Sequence, residues 1–421
     1  MNNLFVKRLL ALLLAMLTML SVAPVTAFAT EAEDASMDSA SLVEMSEPVE
    51  TVPETAPEGA ALLAASDFVS ETHDVFSSTE STIAPGVTQS INYAYAKDGK
   101  QMVYYVLTAD ISRDDVLVQT SYKDQYVDQK FGMEKLTVQM AYADQLYTDE
   151  TSDRFISEYY KVVGGVNASF YNMTTGQPSG VTYLDGVQIG ESASYAQFFA
   201  ILKDGTAIID YTKNLSNYEG NIWQACAGSQ MLVFDGKDVT ATVSGSYNTD
   251  RHSRTCVGVT ADGKVVMMSL DGRQEPFSCG GTMHELAQIM LEQGCVAAIN
   301  LDGGGSTTFA ARQEGENEVT IVNRPSDGSE RSISSGLIIG SLAAPSDVFD
   351  RATMTVENEY VTPGATVVIS AKGVSPAGTA AEIPEDVQWI TACLYPTVLS
   401  ATWSFRWNIR ARSWVKSPSM W

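Results

Sequence analysis

The run Asn300-Leu301-Asp302-Gly303-Gly304-Gly305-Ser306-Thr307-Thr308 offers the most concentrated chemistry in the chain. Asp-Gly pairs are common in this sequence and most mark hairpin turns, so Asp302-Gly303 reads equally as one more. A tight turn needs one or two glycines, however, and this run has three. Consecutive glycines let successive backbone N–H groups converge on one anionic oxygen group, because no Cβ stands in the way. The run is not a nucleotide phosphate loop, since no Lys follows it and 307–311 continues as strand rather than helix.

Four arginines sit beside turn or loop signals in this otherwise acidic chain. They are Arg254, Arg273 after Asp271-Gly272, Arg324 in Asn323-Arg324-Pro325-Ser326-Asp327, and Arg331. A guanidinium fork suits bidentate phosphate contacts, and any single Arg can instead bridge to surface carboxylates. Both readings stand for Arg254, Arg273 and Arg324, whereas Arg331 reads as a surface ion pair. Histidine chemistry is thin. His284-Glu285 opens like a zinc-protease helix, but Gln288 stands where the second His is required. His73 reads as solvated, and His252 as a loop residue that could border an anion site. No serine sits in a GxSxG elbow, so a hydrolytic triad has little support. No cofactor is required; a Ca²⁺ or Mg²⁺ ion would find hard oxygen ligands beside the carboxylates.

These residues need a frame to hold them. Residues 90–122 alternate and are rich in Tyr, Val and Ile, with Asp98-Gly99 as a hairpin signal between two runs. The spacing over 136–147 predicts a helix, and 162–170 reads as a short apolar strand running past Asn167. Residues 180–243 read as a meander turning at Asp185-Gly186, Asp204-Gly205 and Asp235-Gly236. Two further strands, 255–260 and 265–270, are joined at Asp262-Gly263. One helix is closely specified: Thr282 caps it, Glu285 completes a capping box, Met283, Leu286, Ile289 and Met290 form its apolar face, and Gly294 closes it. Residues 296–301 then form a buried strand leading into the glycine run. The expected fold is α+β, a β-rich and mostly antiparallel sheet domain with a few packed helices, followed by an incomplete immunoglobulin-like β module.

Lys7, Arg8, the apolar run 9–20 and Ala27-Phe28-Ala29 predict a cleaved export signal over 1–29, its apolar run too short to span a bilayer. Its removal takes the formal charge from −25 to −27. Residues 30–67, rich in Glu, Ser, Pro, Ala and Thr with almost no aromatics, predict a disordered acidic spacer. Residues 68–345 are long enough for one large domain or two fused small ones. Residues 346–389 read as the start of the immunoglobulin-like module. From 390 to 421 there is no Asp or Glu, yet there are four Trp, three Arg and one Lys; a frame shift near Trp389 is the expected cause, with a natural wall- or membrane-binding tail as the alternative. The acidity argues against nucleic acid as a partner. No other segment is apolar enough to cross a membrane, so the mature chain is expected to be secreted, extracellular or cell-wall associated, without a transmembrane span. The five cysteines are odd in number and form no CxxC; Cys256 and Cys295, inside apolar runs, read as buried thiols.

Several separate segments, in order, resemble the phosphodiester glycosidase family. Gly164-Gly165-Val166-Asn167-Ala168-Ser169-Phe170-Tyr171 with Pro178-Ser179-Gly180 is similar to one family motif, and Arg254-Thr255, Asp262-Gly263 and Asp271-Gly272-Arg273 to a second. The run from Asn300 to Thr307 and that from Asn323 to Asp327 resemble two more. The likeness covers roughly 82–341. It departs at Ala168-Ser169, where the family has a glycine pair, and at Ser334-Ser335, where Asn-Ala is usual.

The resemblance implies a secreted hydrolase that cleaves the glycosidic C–O bond of a sugar-1-phosphodiester, of the N-acetylglucosamine-1-phosphodiester type or a cell-envelope glycan phosphate. An ordinary glycosidase needs a carboxylic acid to protonate a poor leaving group. A phosphate monoester leaves readily, its second pKa being about 6, so the demand shifts to charge neutralisation. Arg254, Arg273, Arg324 and the N–H groups of Gly303, Gly304 and Gly305 would then bind phosphate. Ser306, Thr307, Asn323 and Asp327 would line the substrate, and Asn167 and Asn300 would orient sugar hydroxyls or the water. Asp302 would activate water or steady the sugar, with Asp271 and Asp327 as alternatives. A non-catalytic glycan-binding module of the cell envelope is the competing class; it predicts an exposed aromatic platform at Tyr171 or Tyr183. Catalysis predicts that Asp302, Arg254 and Arg324 converge with the glycine N–H groups. A P–O-cleaving phosphodiesterase would want a His and Asp metal cluster.

Overall fold

The run Met102-Val103-Tyr104-Tyr105-Val106-Leu107 is apolar at both parities, so a strand made from it must bury both faces. In the computed structural model, which describes residues 68–190, 195–242, 244–356 and 368–387, the strand Gln101–Ala109 does this. Val103, Tyr105, Leu107 and Ala109 enter one core, and Met102, Tyr104 and Val106 enter another. The strand belongs to an eight-stranded sheet. Its order is His73–Ala84, Val87–Ala96, Gln101–Ala109, Val265–Leu270, Arg254–Thr260, Cys295–Asn300, Gln230–Phe234 and Lys237–Asp238. All of its pairings are antiparallel.

The first core lies between this sheet and two five-stranded sheets. One, ordered Val319–Ile321, Phe309–Arg312, Lys161–Asn167, Ser335–Ser341 and Val116–Tyr122, supplies Phe309, Val163, Val166, Leu337 and Ile339. The other, ordered Ala207–Tyr211, Gln197–Leu202, Ile222–Gly228, Thr182–Leu184 and Val187–Gly190, supplies Phe199, Ile201, Ile209 and Cys226. The outer faces need their own cover. The helix Met283–Glu292 packs Met283, Leu286, Ala287, Ile289 and Met290 with Met102, Tyr104 and Met268. The helix Leu136–Thr148 packs Leu136, Met140, Ala143 and Tyr147 with Val162 and Ile338. This is the β-rich, antiparallel α+β fold expected, with the helices on the outer faces.

Local signals place their elements well. Thr282 Oγ1 accepts the Glu285 N–H at 3.2 Å, Glu285 accepts the Thr282 N–H at 2.9 Å, and Gly294 lies at φ 78° past the helix end. His73 departs from expectation. It is 2 % exposed, and its ring meets Ser70 Oγ at 2.8 Å, Thr72 Oγ1 at 3.0 Å and Glu292 at 3.1 Å. The burial comes from a helix end 219 residues away, beyond the reach of any local pattern. Cys226, Cys256, Cys279 and Cys295 are free and buried.

The expected export signal, the spacer and the tail 390–421 lie outside the described residues, as do 357–367 and 388–389 of the expected immunoglobulin-like start. Past residue 345 the described chain forms one antiparallel sheet of three strands, Arg351–Val356, Ile369–Val374 and Ala380–Ala381. An immunoglobulin-like module needs two packed sheets, and the described residues supply one. Among them, no helix is long and apolar enough to cross a membrane.

Candidate active site

The strand Cys295–Asn300 lies inside the eight-stranded sheet, with Asn300 opposite Cys256 on one side and Gln230 on the other. One residue further on, the chain changes sheets. The Leu301 N–H still bonds Thr255 O at 2.8 Å, whereas the Asp302 N–H bonds Ala168 O at 2.8 Å, just past the end of the strand Lys161–Asn167. The glycine run is therefore the crossover, and Phe309–Arg312 then pairs with Lys161–Asn167 in the second sheet. Asn167 fixes this passage. Its Nδ2 donates to Asp302 O at 2.6 Å, and its Oδ1 accepts from Thr255 Oγ1 at 2.7 Å and the Thr308 N–H at 3.0 Å. With 1 % exposure, Asn167 holds backbone instead of the sugar hydroxyls expected of it.

The three glycines act differently from an open nest. The Gly303 N–H bonds Asp302 Oδ1 at 2.9 Å and the Gly304 N–H bonds Ser253 O at 2.8 Å, so both are already committed inside the protein. What the run provides is close approach. A Cβ on Gly303 would stand 2.8 Å from Ser253 O, and one on Gly305 would overlap the Arg331 guanidinium and the Asp327 carboxylate. Gly304 adopts φ +62°, with the Arg273 guanidinium 3.5 Å from its Cβ position. Ser253 Oγ and Thr307 Oγ1 are buried without a partner among the described residues, which folded proteins seldom leave unmet away from functional sites.

The cationic side of the site is built on Arg254, the first residue of its strand and only 2 % exposed. Its Nε donates to Gly281 O at 3.1 Å and its Nη2 to Tyr247 O at 2.5 Å and Asp250 O at 3.1 Å, with the guanidinium 4.8 Å from the Tyr247 ring centre. All its hydrogen-bond partners are carbonyls, and among the described residues no carboxylate pairs with it. Burial accordingly lowers its pKa. Arg273 is exposed, held at φ 60°, and also without a carboxylate partner among the described residues; its Nε lies 3.4 Å from His252 Nδ1. Burial, then Arg254 and Arg273, push the His252 pKa down. Asn300 is fully buried, its Nδ2 donating to Ser229 Oγ at 2.9 Å, Tyr247 Oη at 3.0 Å and Leu301 O at 2.7 Å. It braces Tyr247 under Arg254 and does not reach solvent.

The acidic side is Asp302. Burial pushes its pKa up to about 6, against the Ser306 hydroxyl, the Gly303 N–H and Arg331, which favour the ionised form. The residue as a whole is half-buried. Tyr171 lies beside it, its Oη donating to Ser332 O at 3.2 Å, and burial, then the Asp302 charge, push its pKa up. Arg331 forms the expected surface pair, 2.7 Å from Asp327, but that pair sits on Gly305 at the mouth of the site. Phe170 stacks on Tyr195 at 5.3 Å and meets Tyr247 edge-on at 6.4 Å, a wall that links the acidic and cationic sides.

Asp271 and Arg324 fall outside this constellation. Asp271 is 1 % exposed and accepts from Tyr105 Oη at 3.0 Å, Asn323 Nδ2 at 3.0 Å and the Arg324 N–H at 2.9 Å. Its oxygens tie Tyr105 to the 323–324 loop, and with 1 % exposure it is placed as a structural anchor rather than in the catalytic role considered for it. Asn323 passes the support on, accepting the Phe309 N–H at 2.8 Å and donating to Thr307 O at 3.2 Å. The exposed Arg324 guanidinium lies 5.2 Å over the Phe277 ring, and no hydrogen bond or salt bridge ties it to the glycine run. Tyr247, Tyr195 and Phe170 carry no signal of a site role in the sequence, although Phe170 falls inside a family-like motif; Tyr247 follows a Gly245 turn and belongs to no motif. Among the described residues no three His, Cys, Asp or Glu side chains are grouped to hold a metal ion.

Residues 160–340, which contain both sides of this site, match the family profile described as phosphodiester glycosidase. Over that stretch the chain is similar to the phosphodiester glycosidase family. The chain is 29% identical over 178 residues to N-acetylglucosamine-1-phosphodiester alpha-N-acetylglucosaminidase of Mus musculus, covering 38% of this chain and 33% of that protein. The Homo sapiens protein of the same name is 30% identical over 178 residues, with the same coverage. The SPbeta prophage-derived uncharacterized protein YomE of Bacillus subtilis (strain 168) is 28% identical over 295 residues, 62% of this chain and 43% of YomE. The chain thus spans about a third of the length of these mammalian relatives. The zebrafish N-acetylglucosamine-1-phosphodiester alpha-N-acetylglucosaminidase catalytic domain, auto-inhibited by its pro-peptide, aligns with a TM-score of 0.48 at 20% identity, over 64% of this chain and 88% of that one. Within the matched stretch, the two departures from the family pattern touch each other. The Ser169 N–H bonds Ser335 Oγ at 3.2 Å, and the Ala168 N–H bonds Ser335 O at 2.9 Å. Ala168 O in turn holds Asp302, so both departures bear on the carboxylate's position.

Proposed function

We propose that the protein hydrolyses the glycosidic C–O bond of a sugar-1-phosphodiester, of the N-acetylglucosamine-1-phosphodiester type or a cell-envelope glycan phosphate. The observation that carries this reading is Arg254, a buried guanidinium without a carboxylate, set beside the same glycine run as Asp302. An uncompensated buried cation is costly unless an anion joins it, and a phosphodiester supplies one negative charge. Arg254 and Arg273 bind that phosphate and stabilise the second charge as the bond breaks. Asp302, ionised above about pH 6, takes a proton from water as the water oxygen bonds to the anomeric carbon. The C–O electron pair leaves with the phosphate, giving a free sugar and a phosphate monoester. Tyr171 and Ser306 position Asp302, and Phe170 with Tyr195 faces the sugar.

In this reading two guanidinium groups neutralise the leaving group, and no metal is required; a Ca²⁺ or Mg²⁺ ion at the carboxylates would act only as an accessory. The chain is exported through residues 1–29 and works outside the cell or at the wall. Tyr171 and Tyr183 are half-buried, which does not favour the exposed platform of a pure glycan binder. The deciding experiment measures release of N-acetylglucosamine from its 1-phosphoryl-methyl diester. Turnover is expected from wild type; turnover retained by both Asp302→Asn and Arg254→Gln would sink this site.

A further inference from the structure

A second hollow lies away from the cationic site. It encloses about 1260 Å³ between the 112–118 segment, the 153–156 loop, the turn at Asp204-Gly205, Trp223 and the turn at Asp262-Gly263. That last turn follows Thr260 at one end of a strand whose other end is Arg254, which separates the two sites by roughly 20 Å at ~3.3 Å per residue. Trp223 and Phe155, both on its lining, are 41 % and 40 % exposed. Exposure alone does not mark the groove, since Phe76, Tyr95 and Tyr159 are exposed elsewhere; two aromatic rings on one concave lining, one of them fixed, do. The Trp223 indole is also held in place. It rests on Gly186, at φ +82°, where a Cβ would come within 3.1 Å of Trp223 Cε3, and the Gly186 N–H bonds Trp223 O at 2.7 Å. A side chain at 186 would lift the ring.

The charge of the lining selects the occupant. Asp114, Asp153 and Asp204 line the hollow without an ion-pair partner among the described residues, against one unpaired lining cation, Lys203, while Arg113 and Arg154 are tied to Asp115 and Asp185, so the lining keeps an acidic excess. Carboxylate oxygens accept hydrogen bonds from hydroxyl groups and repel phosphate. A fixed indole with acceptors around it suits the apolar C–H face and hydroxyl edge of a pyranose. We propose that this groove binds an uncharged oligosaccharide, separately from the phosphodiester site and independently of whether that site hydrolyses anything.

The test titrates the full chain with neutral hexasaccharides of glucose, mannose and N-acetylglucosamine by calorimetry. Saturable binding to at least one is expected, about tenfold weaker in Trp223→Ala, largely kept in Trp223→Phe, and within twofold of wild type in Arg254→Gln. Cleavage of the small phosphoryl-methyl donor should stay within twofold in Trp223→Ala, so that loss of the groove and loss of the hydrolytic reading show separately. Should Trp223→Ala fail to fold, Phe155→Ala must show the same weakening. Binding of none of the three sugars, capture of a cationic peptide in their place, unchanged affinity in the aromatic variants, or an equal loss in Arg254→Gln would each overturn the proposal.

Discussion

Asp302 and Arg254 are each unfavourable to folding and useful to the proposed reaction. Burial raises the Asp302 pKa to about 6, above the ~3.9 of an unfolded Asp. The folded protein therefore binds this proton more tightly, and the group's contribution to stability falls as pH rises from about 4 to about 6. Activity through the ionised form moves the other way. kcat/KM should rise with pH through about 6 and then level, and Asp302→Asn should remove that limb while lowering kcat by about 10²–10⁴-fold. Urea midpoints should show Asp302→Asn at least as stable as wild type at pH 7; a clear loss there would mean that the carboxylate is structural. Arg254 permits a ligand test. Inorganic phosphate at about ten times its Kd should stabilise wild type by about 1.4 kcal/mol, visible as a raised melting temperature, and should leave Arg254→Gln unmoved.

At the scale of elements, what was legible in the sequence was local. The helix Met283–Glu292 announced itself because its cap, its box partner and its apolar face lie within a dozen residues. Thr282→Ala should cost about 1 kcal/mol with kcat unchanged, since that helix packs on the outer face of the sheet. The glycine run was visible as unusual but not in its role. Its N–H groups look open in sequence, and only the crossover shows Asp302 and Ser253 taking two of them, those of Gly303 and Gly304. Tyr247, 53 residues from Asn300, gave no signal because its partners are distant and its own loop is ordinary. Arg331 reads in the sequence as a surface ion pair, and its partner is Asp327, yet no local pattern could show that the pair rests on Gly305. Gly305→Ala tests that contact. A methyl there must displace Arg331 and Asp327, so kcat/KM should fall by more than about tenfold while the melting temperature drops only modestly; an unchanged kcat/KM would separate Arg331 from the site.

At the scale of the whole molecule, the sequence places a boundary near residue 345, yet the folded chain carries contacts across it. Arg312, 4 % exposed at the end of the strand Phe309–Arg312, donates to Ile83 O through Nε at 3.2 Å and to Ala377 O through Nη2 at 2.7 Å. The Gly315 N–H bonds Gly378 O at 3.1 Å, and Arg351 reaches Glu314 at 2.5 Å and Thr82 O at 2.9 Å. Val374, Ser375 and Ala377 are buried. Burial pulls the Arg312 pKa down to about 10, and its hydrogen-bond partners are carbonyls from both sides of the boundary. A chain ended at 345 strips Ala377 from this guanidinium and uncovers the surface beneath it. Charged hydrogen bonds contribute about 1.5–3 kcal/mol each, and about 2–4 °C accompanies each kcal/mol in a domain of this size. The chain ended at 345 should therefore melt several degrees below one ended at 387, and Arg312→Met should narrow that gap because it removes the stranded charge. Equal melting temperatures for the two lengths would show that the three-stranded sheet is an independent appendage. A gap that closes in Arg312→Met would show it to be part of the domain that holds Arg254 and Asp302 in place.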